Sequence, residues 1–271
     1  ARIPQYGISS SMHSVNKSVF KNPKTVQLLD RFATYNGSSP YKSPGMLNII
    51  SHLELNKGPA MPVGGMVQIT QVAYEGCKKL GVEFILGEKV NEIHSLEGKV
   101  TGVSTAKGTY DADIVVSNMD VHFTYERLMP TVKAPQKILN QEKSTSAIVF
   151  YWGIRKKVEQ LGVHNILFAE NYEKEFSCLF ESKTMSDDPT IYIHITSKLE
   201  SQDAPADCEN WFVMVNAPIN EGQDWDEFVA RTRANLIQRI QNTLQFSVED
   251  YLEVEEYFDP RKIEETYFGK Q

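Results

Sequence analysis

The spacing of apolar residues along the chain changes from a helical repeat to the alternation and short apolar runs that are typical of strands. In the first part of the chain, apolar residues recur every three to four positions and therefore line one side of a helix. Asn22 and Pro23 mark one helix start, because asparagine caps helix N-termini and proline fits the first helical position. Helices are predicted over residues 23–36, 46–55, 67–80, 121–128, 172–181 and 224–244.

Strand patterns dominate the second half of the chain, where β-branched and aromatic residues are concentrated. The last apolar positions, 251–258, are predicted to form an edge strand. The first twenty residues are polar, with a loop predicted at residues 9–11. Together the elements indicate a mixed α/β fold with a mixed sheet covered by helices. Strands are predicted over residues 82–85, 90–93, 98–103, 112–118, 146–154, 165–169, 190–196, 211–216 and 251–258.

The stretch 62–120 carries the clearest sign of a bound group. Gly64 and Gly65 precede the helix at 67–80, and adjacent glycines let the backbone approach a ligand closely with N–H groups unpaired. The apolar strand at 112–118 ends in Ser117 and Asn118, which is typical of a buried strand that presents polar groups at its carboxyl end. This order predicts part of a dinucleotide-binding domain, although a complete G-x-G-x-x-G motif is absent.

Composition and charge exclude several classes of protein. The net charge of −7 repels nucleic acid, so no nucleic-acid partner is expected. Three well-separated cysteines and no histidine pair at ligand spacing indicate reduced thiols of a cytoplasmic protein without a metal site. No run approaches the roughly 18 apolar residues of a membrane-spanning helix, and residues 1–4 do not resemble a signal peptide. Since no initiator methionine is present, we expect an excerpt of a longer protein.

Four motifs follow one another along the chain: RFATYNGSSPY at 31–41, HLE at 52–54, PVGGM at 62–66 and VVSNMD at 115–120. In this order and spacing they resemble the bacterial-type phytoene desaturases, or carotenoid desaturases, which are flavoproteins. The resemblance continues through residues 146–154, 187–190, 209–212 and 259–264 and covers nearly the whole chain. Within the family it is greatest to desaturases of the flavobacterial type. The chain resembles an internal portion of these enzymes, without their N-terminal dinucleotide fingerprint and C-terminal glycine-rich segment.

The resemblance implies an FAD-dependent dehydrogenation of a long polyene hydrocarbon such as phytoene, in which hydride passes to the flavin N5 and a proton leaves the neighbouring carbon. It also implies a division into a helical part of the substrate domain (1–60), a middle segment of the FAD domain (61–130) and a β-rich substrate domain (131–271). The resemblance implies that Arg31 and Glu54 lie near the reacting bond. The residues implied at the cofactor are Pro62, Gly64, Gly65, Met66, Val90, Ser117 and Asn118. Those implied at a substrate tunnel are Phe32, Tyr35, Tyr41, Tyr151 and Trp152.

Simpler structural interpretations of these residues stay open at this point. The two glycines could make only a tight turn, Val90 could be an ordinary strand valine, and Ser117 and Asn118 could cap the helix at 121–128. Arg31 and Glu54 could form a solvated ion pair. The aromatic residues could be core side chains.

Alternative functions also stay open. The same flavoprotein fold could serve carotenoid isomerisation or amine oxidation, and the β-rich half could be a non-catalytic lipid-binding module. Because a long polyene is insoluble in water, we expect the enzyme to collect it from a membrane surface. The helix at 46–55 could insert apolar side chains there, although the negative charge disfavours electrostatic docking. The oligomeric state is not indicated.

Overall fold

A computed structural model describes residues 7–268, so residues 1–4, for which no signal peptide was predicted, lie outside the described residues. The α-helices are α1 Met12–Val19, α2 Pro23–Asp30, α3 Asn48–Lys57, α4 Val67–Lys79, α5 Val121–Phe123, α6 Gln136–Leu139, α7 Tyr172–Ser177, α8 Trp225–Leu244 and α9 Pro260–Phe268. The strands are β1 Val90–Leu96, β2 Lys99–Thr105, β3 Thr109–Asp111, β4 Ser146–Ile154, β5 His164–Leu167, β6 Ile191–Ile195, β7 Glu209–Ala217 and β8 Leu252–Phe258.

By its internal contacts the chain forms two compact units. The first unit comprises residues 1–65 and 143–263, and the second comprises residues 66–142 and 264–271. The mixed α/β class is confirmed, since each unit combines a sheet with helices. Every strand pairing in the described part of the chain is antiparallel, which corrects the mixed sheet that we predicted. The three-part division at 1–60, 61–130 and 131–271 stays a prediction.

A five-stranded sheet in the order β5-β6-β7-β4-β8 forms the centre of the first unit. Because side chains alternate between the two faces of a strand, β4 directs Ile148, Phe150, Trp152 and Ile154 into the core and Tyr151 to the other face. The long helix α8, which was predicted over residues 224–244, is capped by the Asp224 side chain and packs its apolar side on the core face. The opposite face of the sheet, here named the outer face, is not the face that α8 covers.

The N-terminal helices form a smaller core of their own. Met12, Phe32 and Ala33 are buried together, with Leu47 and Ile50 packed against them. Helix α1 lies within the first twenty residues, for which no helix was predicted. The pattern missed α1 because its short sequence has few apolar residues, whereas its stability comes from the burial of Met12 and from a capping bond of Ser11 to the Ser14 amide.

In the second unit, α4 precedes a three-stranded sheet in the order β1-β2-β3. The strands predicted at 82–85 and 112–118 are absent, and Ile114 and Val116 are 81% and 88% exposed. An apolar run becomes a strand only where a neighbouring strand supplies backbone hydrogen bonds, and within the described residues neither run has one. The predicted helix at 121–128 is present as α5, extended by a π-helical turn, Thr124–Leu128.

Candidate functional site

A row of aromatic rings, here named the aromatic row, crosses four strands on the outer face. It consists of Tyr192 on β6, Phe212 on β7, Tyr151 on β4 and Phe258 on β8. The ring centroids of Tyr192 and Phe212 are 6.3 Å apart, those of Phe212 and Tyr151 5.6 Å, and those of Tyr151 and Phe258 5.9 Å. All three pairs meet edge to face, which is a favourable arrangement of aromatic quadrupoles. The row gives the outer face a continuous apolar strip.

Beside the aromatic row lies a groove of about 500 Å³ with a mainly apolar lining. Tyr151 and Phe212 form part of its wall, together with His194, Val254 and Pro205. A concave, mostly apolar surface with a few polar groups is the usual form of a small-molecule site. The groove and the aromatic row together form a surface that crosses the strands and suits an extended apolar ligand.

Two histidines form the polar wall of this face. His164 and His194 face each other across β5 and β6 with stacked rings whose centroids are 4.6 Å apart. Tyr192 Oη and His164 Nδ1 are 2.8 Å apart and share a hydrogen bond. Partial burial, and then the proximity of His164, lower the pKa of His194 below its ordinary value of 6.5. The His194 imidazole is therefore neutral at neutral pH and compatible with an apolar ligand.

The Tyr192 end of the row meets a group of polar side chains, here named the polar end, which consists of Arg31, Tyr35, Glu54 and Tyr192. The Arg31 guanidinium carbon lies 5.9 Å from the centroid of the Tyr192 ring. The Tyr35 hydroxyl donates to Glu54 Oε2 over 2.6 Å. Burial, followed by this hydrogen bond, raises the pKa of Tyr35 to about 12, so the phenol keeps its proton and remains a donor.

A buried acid lies behind the polar end. Glu175 on α7 is 1% exposed, and its Oε2 accepts a hydrogen bond of 2.7 Å from the Thr190 hydroxyl. Burial raises the pKa of Glu175 to about 7, although Thr190 and Arg31 act in the opposite direction. In the described part of the chain, Arg31 Nε, Tyr172 Oη and Glu175 Oε1 are buried without hydrogen-bond partners. Such a cluster is electrostatically costly and therefore sensitive to substitution.

The two predicted catalytic residues lie in the same region of the first unit. Arg31 and Glu54 act on the pKa values of both Tyr35 and Tyr192, which places the four side chains in one electrostatic neighbourhood. Within the described residues, no ion pair joins Arg31 to Glu54. The structure therefore does not show the solvated ion pair that was the simpler interpretation of these two residues. Their catalytic roles stay predictions.

The predicted tunnel residues divide between the surface and the cores. Tyr151 and Tyr35 are 44% and 56% exposed and lie on the aromatic row and at the polar end. Trp152 and Phe32 are 1% and 6% exposed and belong to the two cores of the first unit, and their role at a tunnel stays a prediction. Tyr41 instead packs against His13 and Phe176 near α7.

The predicted cofactor turn adopts the backbone geometry that only glycine takes easily. Gly64 and Gly65 have φ angles of +83° and +86°, and a Cβ on Gly65 would meet nothing within 4 Å. Their N–H groups are used inside the chain: Gly64 donates to Glu200 Oε1 over 3.0 Å, and Gly65 donates to the Pro62 carbonyl over 3.0 Å. The turn therefore has open space beside Gly65, and both glycine N–H groups are already used as donors within the chain.

The remaining cofactor positions lie in the second unit or at its start. Met66 is 60% exposed at the start of α4, and Val90 begins β1, paired with Thr105. The Ser117 hydroxyl is 2.8 Å from the Thr124 hydroxyl, and Asn118 is exposed. The cap of α5 is Asp120, and neither Ser117 nor Asn118 caps it. Cofactor contact at these positions stays a prediction.

Sequence reasoning did not single out several residues of the outer face. Tyr192, His194 and Phe212 occupy the strand positions opposite to the buried isoleucines and valines, so a strict period-two assignment of each strand would have found them. Glu175 gave no signal, because its burial depends on packing between distant segments.

Solved structures of oxidoreductases share the fold of this chain. An oxidoreductase from Methanosarcina mazei matches with a TM-score of 0.66 over 92% of this chain and 56% of its own, at 13% identity. A putrescine oxidase variant matches with a TM-score of 0.60 over 99% of this chain and 57% of its own, at 11% identity. These likenesses show that the fold is one found in oxidoreductases.

Sequence relatives then give the family. The chain is 49% identical over 265 residues to a 1-hydroxycarotenoid 3,4-desaturase of a Flavobacterium species, covering 98% of this chain and 54% of the relative. It is 29% identical to a 4,4'-diapolycopene oxygenase of a Methylomonas species, with the same two coverages. It is 32% identical to a phytoene desaturase of Neurospora crassa over 80% of this chain and 39% of the relative. No family model matches. The chain belongs to the carotenoid desaturase family, and it spans about half the length of the first two relatives.

Proposed function

We propose that the protein containing this chain is an FAD-dependent desaturase that removes hydrogen from a carotenoid or a carotenoid precursor. The observation that carries the proposal is the 49% identity to a carotenoid desaturase over 98% of the chain. The resemblance of the motifs at 31–41, 52–54, 62–66 and 115–120 points in the same direction.

The outer face supports a polyene as the substrate. The aromatic row and the groove of about 500 Å³ offer apolar contacts to a ligand that lies perpendicular to the strands. Neighbouring strands are about 4.8 Å apart, so a row that crosses four strands extends over roughly 15 Å. This length suits an extended, conjugated chain better than a compact ligand.

The chain's own residues would orient the substrate and accept a proton. The Glu54 carboxylate, held by the Tyr35 hydroxyl at 2.6 Å, is the candidate acceptor of the proton that leaves the carbon next to the site of hydride loss. Arg31, buried against Tyr192, would place a positive charge in the neighbourhood of the Glu54 carboxylate before that group accepts the proton. The apolar strip would exclude water from the reacting bond.

The proposed cofactor is FAD, which would supply the oxidising group when bound. The turn at Gly64 and Gly65 supports this placement, because both φ angles are positive and the space beside Gly65 is open, which leaves room for a ring next to the backbone. Pro62, Met66, Val90, Ser117 and Asn118 are the further residues that we propose at the cofactor.

We also propose that the protein collects its substrate at a membrane surface. Ile49 and Leu53 of α3 and Met46 in the 3-10 turn just before it are 58%, 50% and 47% exposed, and their spacing places them on one side. On the opposite side, Leu47 and Ile50 pack on the small N-terminal core. Within the described residues, the helices are too short or too polar to cross a bilayer. An exposed apolar stripe of this size suits shallow insertion between lipid headgroups.

The test of the proposed function is anaerobic reduction of the flavin in the full-length protein. Addition of an acyclic carotenoid in liposomes is expected to bleach the visible flavin absorption and to yield a product with a longer conjugated system. Purified protein without flavin would contradict the proposal and favour the lipid-binding module. Bleaching by an amine but not by a polyene would favour amine oxidation, and a product of unchanged hydrogen content would favour isomerisation.

A further inference from the structure

The glycine turn is tied to a distant part of the chain by one carboxylate. The Gly64 N–H donates to Glu200 Oε1 over 3.0 Å, although the two residues are 136 positions apart in the sequence. The Gly65 N–H, by contrast, donates within the turn, to the Pro62 carbonyl. A hydrogen bond from a backbone N–H to a carboxylate is charge-assisted and stronger than one to a neutral carbonyl. The shape of the turn therefore depends on Glu200.

Hydrogen bonds on both sides hold the segment that carries Glu200. This segment follows β6 and lies between two short 3-10 turns. The Glu200 N–H donates to the Thr196 carbonyl over 2.9 Å, and the Glu200 carbonyl accepts from the Asp203 N–H over 3.0 Å. Asn210 of β7 joins the segment to the sheet, because its Nδ2 donates to Thr196 Oγ1 over 2.6 Å. The sheet thus provides a fixed base from which Glu200 reaches the turn.

The Glu200 carboxylate has no positively charged partner within the part of the chain that the structure describes. Lys198, two residues before it, pairs with Glu209 over 2.7 Å instead. Glu200 is half-buried, so water screens its charge less than it screens the charge of an exposed carboxylate. The turn therefore carries an uncompensated negative charge.

The turn also presents an open apolar surface. Val63 and Met66 are 93% and 60% exposed, and a Cβ on Gly65 would meet nothing within 4 Å. Apolar side chains on either side of two glycines offer a contact surface to a flat ring. A ring that covered this surface would come under the influence of the Glu200 charge.

We propose that Glu200 is a positioning residue for the flavin. It holds the glycine turn in the shape that receives the ring, and its charge makes the bound flavin harder to reduce. This inference rests on the proposed function and deepens it, since it names a residue that would set the oxidising strength of the cofactor. A turn that is already in place lowers the cost of binding, and a nearby negative charge opposes the addition of electrons to the ring.

The test uses the full-length flavin-loaded protein and its Glu200→Gln and Glu200→Ala variants. Glu200→Gln removes the charge and keeps an oxygen that can accept from Gly64, whereas Glu200→Ala removes both. Glu159→Gln is the control, because Glu159 is an exposed glutamate of the same unit. The measurements are the dissociation constant of oxidised FAD, from reconstitution of the apoprotein, and the reduction potential of the bound flavin, from equilibration with a reference dye.

Glu200→Gln is expected to raise the reduction potential. The ratio of the affinities for reduced and oxidised FAD shifts about fivefold toward the reduced form, as expected for a unit charge several ångströms away. The dissociation constant of oxidised FAD changes less than about twofold in this variant. Glu200→Ala raises that constant about tenfold, because the turn loses a hydrogen bond to a charged group. Glu159→Gln leaves both quantities unchanged.

Two results would overturn the inference, and they differ from the failure of the proposed function. An unchanged reduction potential in Glu200→Gln shows that the carboxylate does not act on the flavin, and this variant decides the question even if Glu200→Ala does not fold. Unweakened binding of oxidised FAD by a folded Glu200→Ala shows that Glu200 does not position the turn. A bound flavin that no polyene reduces contradicts the proposed function, while the two Glu200 measurements still apply.

Discussion

Glu175 provides the sharpest test of the energetics of the first unit, because it is a carboxyl group buried behind the polar end. Its pKa is raised from 4.5 to about 7, first by burial, and the Asp188 carboxylate adds to the rise. The hydrogen bond from Thr190 and the Arg31 charge offset part of it. The folded protein therefore holds a proton on Glu175 that the unfolded chain has already released.

The sign of the pH dependence follows from this difference. Between about pH 4.5 and 7 the folded state binds more protons at this group than the unfolded state, so the stability that it contributes is lost as the pH rises. At about 1.4 kcal/mol per pH unit, the rise in pKa corresponds to a loss of about 3 kcal/mol across this interval. Glu175→Gln removes the titration and keeps a side-chain oxygen that can accept from Thr190.

We expect the stability of Glu175→Gln relative to the unmodified protein to increase by about 3 kcal/mol from pH 4.5 to 8. The assay is urea unfolding of the full-length protein, followed by circular dichroism at several pH values. Glu173→Gln is the matched control, because Glu173 is an exposed residue of the same helix and should show no such trend. A stability difference that stays constant over this interval would refute the assignment of a buried, proton-holding Glu175.

Further predictions concern the aromatic row, the second unit and membrane contact. Tyr151→Ala removes the central ring and should weaken polyene binding in liposomes by roughly tenfold or more, as followed by quenching of tryptophan fluorescence; unchanged affinity would contradict a substrate surface there. Gly102→Ala should destabilise the β2–β3 hairpin by more than about 2 kcal/mol in hydrogen exchange, because φ is +154° and a Cβ would collide with a carbonyl oxygen of β3. Gly98→Ala, with open space around it, should cost only about 1 kcal/mol, and equal effects would refute the steric argument. Ile49→Asp with Leu53→Asp should abolish flotation with liposomes, and unchanged flotation would exclude α3 as the contact.

Local chemistry made much of the fold predictable. The cap signal at Asn22 and Pro23 correctly predicted the start of α2, and the spacing of apolar residues correctly predicted α8, because these signals depend on residues close together in the sequence. The strands of the five-stranded sheet were also predicted, since bulky residues concentrate in them. The apolar runs at 82–85 and 112–118 were misassigned, because strand formation depends on a partner that the local sequence does not reveal.

The candidate site was less predictable than the fold. The family motifs pointed to Arg31, Tyr35 and Glu54, and the structure brings these residues into one neighbourhood. The position of Trp152 in the core and of Tyr192 on the outer face followed only from the register of each strand. Burial of Glu175 depends on α7 packing against segments far away in the sequence, and no local pattern encodes it.

The order of the five-stranded sheet leaves β8 as an edge strand, and its composition bears on self-association. Three glutamates of β8, Glu253, Glu255 and Glu256, lie along this edge segment, where another polypeptide could otherwise add by backbone hydrogen bonding. A second copy of β8 in antiparallel alignment would bring carboxylates of like charge close together. This edge should therefore resist the growth of intermolecular sheets, even though the same strand offers Val254 and Phe258 to an apolar ligand.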